Sequence, residues 1–191
     1  MFDKKRLLLM GKLFILVIAL IITLSLTPIV FSRYETEAAT VANTNIAFYI
    51  LKENYYTESL SLVSMIPQSA PYVYNFTVAN NDGINRVETD MEYDLSIITT
   101  TNLPLTYELY MNQTYDQTGA TSAIISQNTT ADEDGAYFKT IKTAKQTFSY
   151  SANQANNYQL VIYFPTTYTH YKYQDIAEMV RIVIESKQIV E

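Results

Sequence analysis

Cysteine is absent from this chain of 191 residues, and histidine, glycine and proline are scarce. Without cysteine there is no disulfide framework, no thiolate zinc site and no thiol nucleophile, so an exported body would be held together by its apolar core alone. The single histidine, His170, lies in "YTHYKYQ". It excludes the His-pair zinc helix and leaves no room for a Ser-His arrangement at a Gly-rich elbow. Four glycines leave no phosphate-cradling loop. Tryptophan is missing as well, which weakens a sugar-stacking surface.

Positive charge is lacking everywhere except at the start. Lys4, Lys5, Arg6 and Lys12 crowd the N-terminus against Asp3, whereas the rest of the chain is acidic and brings the net charge to −6. Such a body repels phosphate backbones, and nucleic acid is excluded as a partner.

What the chain does have begins with "LFILVIALIITLSLTPIVF", residues 13–31, an uncharged run behind the basic cluster. A helix of that length spans roughly 30 Å of hydrocarbon, and the flanking charges put the N-terminus inside and residues 33–191 outside. Two readings stand: a membrane-spanning signal anchor, or a cleaved signal peptide. Length favours the anchor, as do Pro28, Ile29 and Val30 at a poor cut site; cleavage would fall near Phe31 or after Ala38. The expected location is the cell membrane with an extracellular C-terminal domain, or the medium after cleavage.

Beyond Arg33 the pattern changes to short runs rich in Tyr, Val, Ile, Thr and Phe. In "DMEYDLSI" (90–97), Met91, Tyr93, Leu95 and Ile97 alternate with Glu92, Asp94 and Ser96, the mark of a half-buried strand with an acidic outer face. Further strands are expected at 45–51, 72–79, 105–111, 136–142, 157–164 and 179–185, and weaker ones near 58–63, 122–127 and 146–150. Turn signals stand between them: "NNDG" (80–83), "LP" (103–104), "DEDG" (132–135), "NQANN" (153–157) and "FP" (164–165). This punctuation predicts an all-β antiparallel sandwich over 44–191, with one helical turn at most, around Gln174–Ala177.

The stretch "TPIVFSRYETEAATVANTNIAFYIL" resembles the N-terminal signature of camelysin and the TasA-like surface and biofilm-matrix proteins, exported with a SipW-type signal peptidase. Phe31, Ser32, Thr36, Asn45 and Ile46 fit that outline; Val30 and Arg33 replace the family's Ala and acidic residue. "IPQSAPYVYNFTVANNDG" (66–83) and "IVIESKQ" (182–188) resemble the family's Pro-initiated turn with its following strand, and its last strand. The resemblance implies a jelly-roll β-sandwich; no cofactor is expected, since a chain with one histidine and no cysteine lacks the ligands of an ordinary zinc site. The resemblance further implies an N-terminal extension, here 33–43 with Phe31, Arg33, Tyr34 and Thr36 at its start, that serves as a strand donated to a neighbouring subunit. An open sheet edge offers the unpaired N–H and C=O groups such a strand would satisfy. A flexible tether is the other reading of "ETEAAT". The domain plan is therefore 1–32 signal peptide or anchor, 33–43 neck or donor strand, and 44–191 extracellular sandwich.

Chemistry-bearing constellations are few. Asp90, Glu92 and Asp94 on one side of a strand offer an acid/base or metal surface, or simply keep the strand soluble. "DEDG" has a calcium-loop look, but Thr130 and Ile141 would fall at its first and last ligand positions. A hairpin through Asp134-Gly135 explains it better, leaving calcium at Asp132, Glu133 and Asp134 as a lesser alternative. The N-x-S/T sequons at Asn75, Asn112 and Asn128 are as many as chance supplies.

Seventeen tyrosines remain. They serve as strand filler with rim hydroxyls, or as a recognition patch for a surface protein or glycan, with Tyr168, Tyr171 and Tyr173 as the candidate binding surface. The resulting expectation is a non-catalytic cell-surface or matrix structural protein, tethered or self-assembling. A membrane-anchored binding module is the alternative.

Overall fold

A computed structural model describes residues 16, 18, 46–51, 54–62, 65–173 and 176–190. The chain divides into two compact units, Met1–Thr40 and Val41–Glu191. Of the first, only Leu16 and Ile18 are described, both helical with exposed side chains. The expected span 13–31 and neck 33–43, with Phe31, Arg33, Tyr34 and Thr36, otherwise lie outside the described residues. Among those described, no helix is long and apolar enough to cross a membrane.

The second unit is all-β, as its alternating sequence dictates. Its strands are β1 (Ile46–Tyr49), β2 (Asn54–Leu62), β3 (Tyr72–Ala79), β4 (Met91–Thr100), β5 (Thr106–Met111), β6 (Ile124–Ala131), β7 (Tyr137–Thr143), β8 (Gln146–Phe148), β9 (Ala155–Tyr163) and β10 (Glu178–Gln188). Four form one sheet in the order β1-β3-β9-β5. The larger sheet runs β2-β10-β4-β7-β6, with β8 beside β7 on the same flank of β4. One pairing departs from the antiparallel expectation: β1 runs parallel to β3, Ile46 opposite Phe76. Among the described residues of this unit one helical turn forms, at Tyr171–Tyr173; of the expected Gln174–Ala177, residues 174–175 lie outside the described residues and Ile176 and Ala177 are not helical.

β4 shows how sequence makes structure here. Met91, Tyr93, Leu95, Ile97 and Thr99 are buried, whereas Glu92, Asp94, Ser96, Ile98 and Thr100 are half-exposed, because successive side chains of a strand point to opposite faces. Its buried row joins Phe76, Leu109, Tyr158, Leu160 and Ile162 of the smaller sheet in one core with Val180, Ile182 and Ile184 of β10. Face-to-face sheets sharing inward rows make a β-sandwich. Across the core the Tyr93 and Tyr158 hydroxyls meet at 2.8 Å, and Asn156 Nδ2 donates to Tyr93 at 2.7 Å, so neither phenol is buried without a partner.

The "NNDG" turn signal has a deeper role than a surface bend. Asn80 is fully buried: its Nδ2 donates to the carbonyls of Ser149 and Ala152, both at 2.9 Å, and its Oδ1 accepts the Gln154 N–H at 2.8 Å. Asp82 then caps the bend, accepting the Ile84 and Asn85 N–H groups, and Gly83 supplies the positive φ of 90°.

Candidate functional site

Tyr168, Tyr171 and Tyr173 lie in the segment between β9 and β10. Phe164, at the end of β9, is fully buried, and a turn closed by the Tyr168 N–H on the Pro165 carbonyl brings the chain back over it. Tyr173 packs edge-on against Phe164 at 6.4 Å, and Tyr168 packs edge-on against Tyr173 at 5.7 Å. Tyr171 instead tilts against His170 with ring centres 4.3 Å apart, and is 75% exposed. His170 Nδ1 accepts the Lys172 N–H at 3.1 Å, while the Lys172 ammonium lies 4.7 Å from the Tyr173 ring centre. Tyr168 and Tyr173 thus form one aromatic pair anchored on the core, and Tyr171 with His170 forms a second, outward one. Such a set can stack against a flat ligand face.

The acidic row of β4 is occupied by lysines. Glu92 Oε1 lies 3.0 Å from Lys145 Nζ and 2.9 Å from Lys187 Nζ, and Asp94 lies 3.5 Å from Lys145. The hydrogen bonds from Lys187 and Lys145 hold the Glu92 carboxyl below its ordinary range. Asp90, just before the strand, accepts the Tyr150 N–H at 2.8 Å. The three acids therefore serve ion pairs and a turn on a solvated face.

"DEDG" is the β6–β7 hairpin. The Gly135 N–H donates to the Asp132 carbonyl at 3.1 Å, and Gly135 takes the positive φ of 80°. Asp132 Oδ1 accepts the N–H groups of Asp134 and Ala136 at 3.0 and 2.8 Å, which commits that carboxylate to shaping the turn. No group of three metal-ligating side chains converges among the described residues.

Sequence reasoning missed three polar constellations. Glu178, at the start of β10, is buried, and its carboxylate accepts from Thr99 Oγ1 at 2.9 Å, Thr100 Oγ1 at 2.7 Å and the Leu103 N–H at 2.9 Å. Glu108 Oε2 accepts both the Tyr110 hydroxyl at 2.8 Å and the Tyr163 hydroxyl at 3.0 Å. Burial, followed by the Glu108 hydrogen bond and charge, pushes the Tyr163 phenol up to about 12. The third is a cleft on the outer face of the smaller sheet, where Asn75 and Thr77 of β3 meet Asn157 and Gln159 of β9. The signal for it was present: amides and hydroxyls at every second position of two strands that otherwise alternate with buried apolar residues.

No family model and no curated protein matches the chain. Among solved structures, the chain is similar to the pre-peptidase C-terminal domain of a collagenase from Bacillus anthracis, at 14% identity and a TM-score of 0.28, over 75% of this chain and 98% of that one. It is also similar to CorA, a surface-associated copper-binding protein important in copper acquisition in Methylomicrobium album BG8, at 9% identity and a TM-score of 0.29, with the same two coverages. At those scores neither likeness carries an argument about this chain.

Proposed function

We propose that the chain is a non-catalytic bacterial cell-surface or extracellular-matrix structural protein, tethered or assembling through its N-terminal segment. The basic cluster ahead of residues 13–31 and the resemblance to camelysin and the TasA-like proteins support that placement. A jelly-roll wiring fits the path of the chain, which changes sheet at every step from β1 to β6. The observation that supports the assembly reading is β1: a strand of 4 residues at the edge of the smaller sheet, paired on one side only among the described residues, which follows the neck in sequence. Its other side presents backbone N–H and C=O groups to which a strand such as 33–43 of a second copy would add.

Electron microscopy of the purified full chain tests this, together with the same chain lacking 33–43. Fibres or ordered oligomers that vanish with the deletion are expected. A full chain that stays monomeric at every concentration would overturn assembly. Mass spectrometry of membrane and medium fractions separates the two N-terminal readings: an intact start in the membrane means an anchor, and a start near Phe31 or Ala39 means a released subunit. The second reading, a binding module for a surface protein or glycan, is favoured by Tyr171, a largely exposed ring steadied by His170; Tyr171→Ala should then abolish binding.

A further inference from the structure

On the outer face of the smaller sheet, register sets amides opposite one another: Asn75 opposite Gln159, and Thr77 opposite Asn157. Each pair is closed by a hydrogen bond, Gln159 Nε2 to Asn75 Oδ1 at 3.1 Å and Thr77 Oγ1 to Asn157 Oδ1 at 2.9 Å. After β5 the chain turns at Asn112, whose φ of 55° makes it the only left-handed residue other than glycine among those described. Its carboxamide locks the turn to the sheet: Oδ1 accepts the Asn157 N–H at 2.9 Å, and Nδ2 donates to Asn156 Oδ1 at 3.0 Å. Gln159 Oε1 holds the following segment through the Tyr115 N–H at 2.8 Å. Sheet and loop together flank an open cleft of about 460 Å³, within the range of roughly 300–1,000 Å³ usual for small-molecule sites.

Three properties narrow its ligand. No charged side chain lines the cleft, so neither phosphate, carboxylate nor cation finds a counter-charge there. Asn75, Asn157 and Gln113 are each held through the amide oxygen, whereas Asn75 Nδ2, Asn157 Nδ2, Gln113 Nε2 and the whole Gln117 carboxamide have no partner among the described residues. Carboxamides held through their oxygens present a row of free N–H donors at little further entropic loss, which suits the hydroxyl and ring oxygens of a neutral sugar. An extended peptide would instead seek a sheet edge, where main-chain bonds supply its affinity.

We infer that this cleft binds a neutral, hydroxyl-rich glycan segment. The site lies one strand in from the β1 edge and shares no residue with β1 or with the Tyr168–Tyr173 segment.

The test uses the full chain, ¹⁵N-labelled, in a zwitterionic detergent without a sugar headgroup. Cellohexaose, maltohexaose, chitohexaose and an uncharged Ser/Asn hexapeptide are titrated in turn while the side-chain amide signals are followed. Saturable shifts of the Asn75, Asn157 and Gln113 amides with at least one hexasaccharide are expected. Asn157→Ala and Gln117→Ala should each weaken that binding about tenfold, roughly one lost hydrogen bond. Tyr171→Ala should leave it unchanged. Gln117→Ala lies in a loop, so its effect is read on a folded chain even where a strand substitution disturbs folding. No saturable shift with any of the three sugars would overturn the inference. So would binding that survives both amide substitutions, binding lost in Tyr171→Ala, or tighter binding of the hexapeptide.

Discussion

The two outer faces of the sandwich meet water in different ways. The larger sheet shows a charged lattice, with Glu92 held between Lys145 and Lys187, and Asp94 beside Lys145. The smaller one shows little charge: Glu108 accepts two tyrosine hydroxyls, Val73 lies opposite Val161, and beyond them amides and a hydroxyl are joined across strands. Exposed ion pairs are mobile, screened by salt and add little stability, so a face built from them is chiefly a solubility device. Neutral side chains locked by hydrogen bonds form a shaped surface, and a shaped surface can recognise.

The same difference predicts opposite responses to pH. Burial raises the phenols of Tyr93, Tyr107 and Tyr158, and Tyr163 on the smaller sheet is raised to about 12. A phenol whose folded value lies above the unfolded value of about 10 adds stability that is whole below pH 10 and is lost as pH climbs through the folded value. Circular dichroism should therefore show unfolding that steepens above pH 10, the largest effect expected here. A chain still folded well above pH 12 would contradict the burial of these hydroxyls.

Next in size is the core both faces share. Ile97→Ala from β4 and Leu160→Ala from β9 remove fully buried side chains and should each cost about 2–5 kcal/mol in urea unfolding. A large loss from only one would mean that the sheets do not stabilise each other. Glu178→Gln should cost less, about 1–3 kcal/mol, since an amide placed against the Leu103 N–H turns one accepted bond into a donor–donor clash. The smallest effect belongs to the charged face. With its folded value lowered by the lysines, Glu92 contributes stability above its unfolded value that is lost as pH falls through the folded one. Glu92→Gln should shift the thermal midpoint barely, and that shift should disappear in high salt.

The ladder was legible because period-two alternation is a local signal: β4 is strict, and β3, β5, β7, β9 and β10 begin and end within a residue or a few of where alternation and turn residues put them. The parallel pairing of β1 with β3 is non-local, since four residues carry no mark of which neighbour they will choose. The hairpin at Asp134-Gly135 was readable because glycine's positive φ is written in its identity. The cleft was legible only in part: alternate amides and hydroxyls mark one face of β3 and of β9, but their mutual register and a loop returning from β5 lie in no single window of sequence. Tyrosine count drew attention to Tyr168, Tyr171 and Tyr173, yet pairing, more than abundance, separates the anchored rings from the outward one.

β10 is threaded between β2 and β4, and its Ser186 lies opposite Asn54, 132 positions earlier in the chain. Until synthesis has passed residue 188, the larger sheet is therefore missing an inner member and its first strand has no mate. Pairing across so long a stretch of chain is slow to form, so the larger sheet completes its interior late in folding.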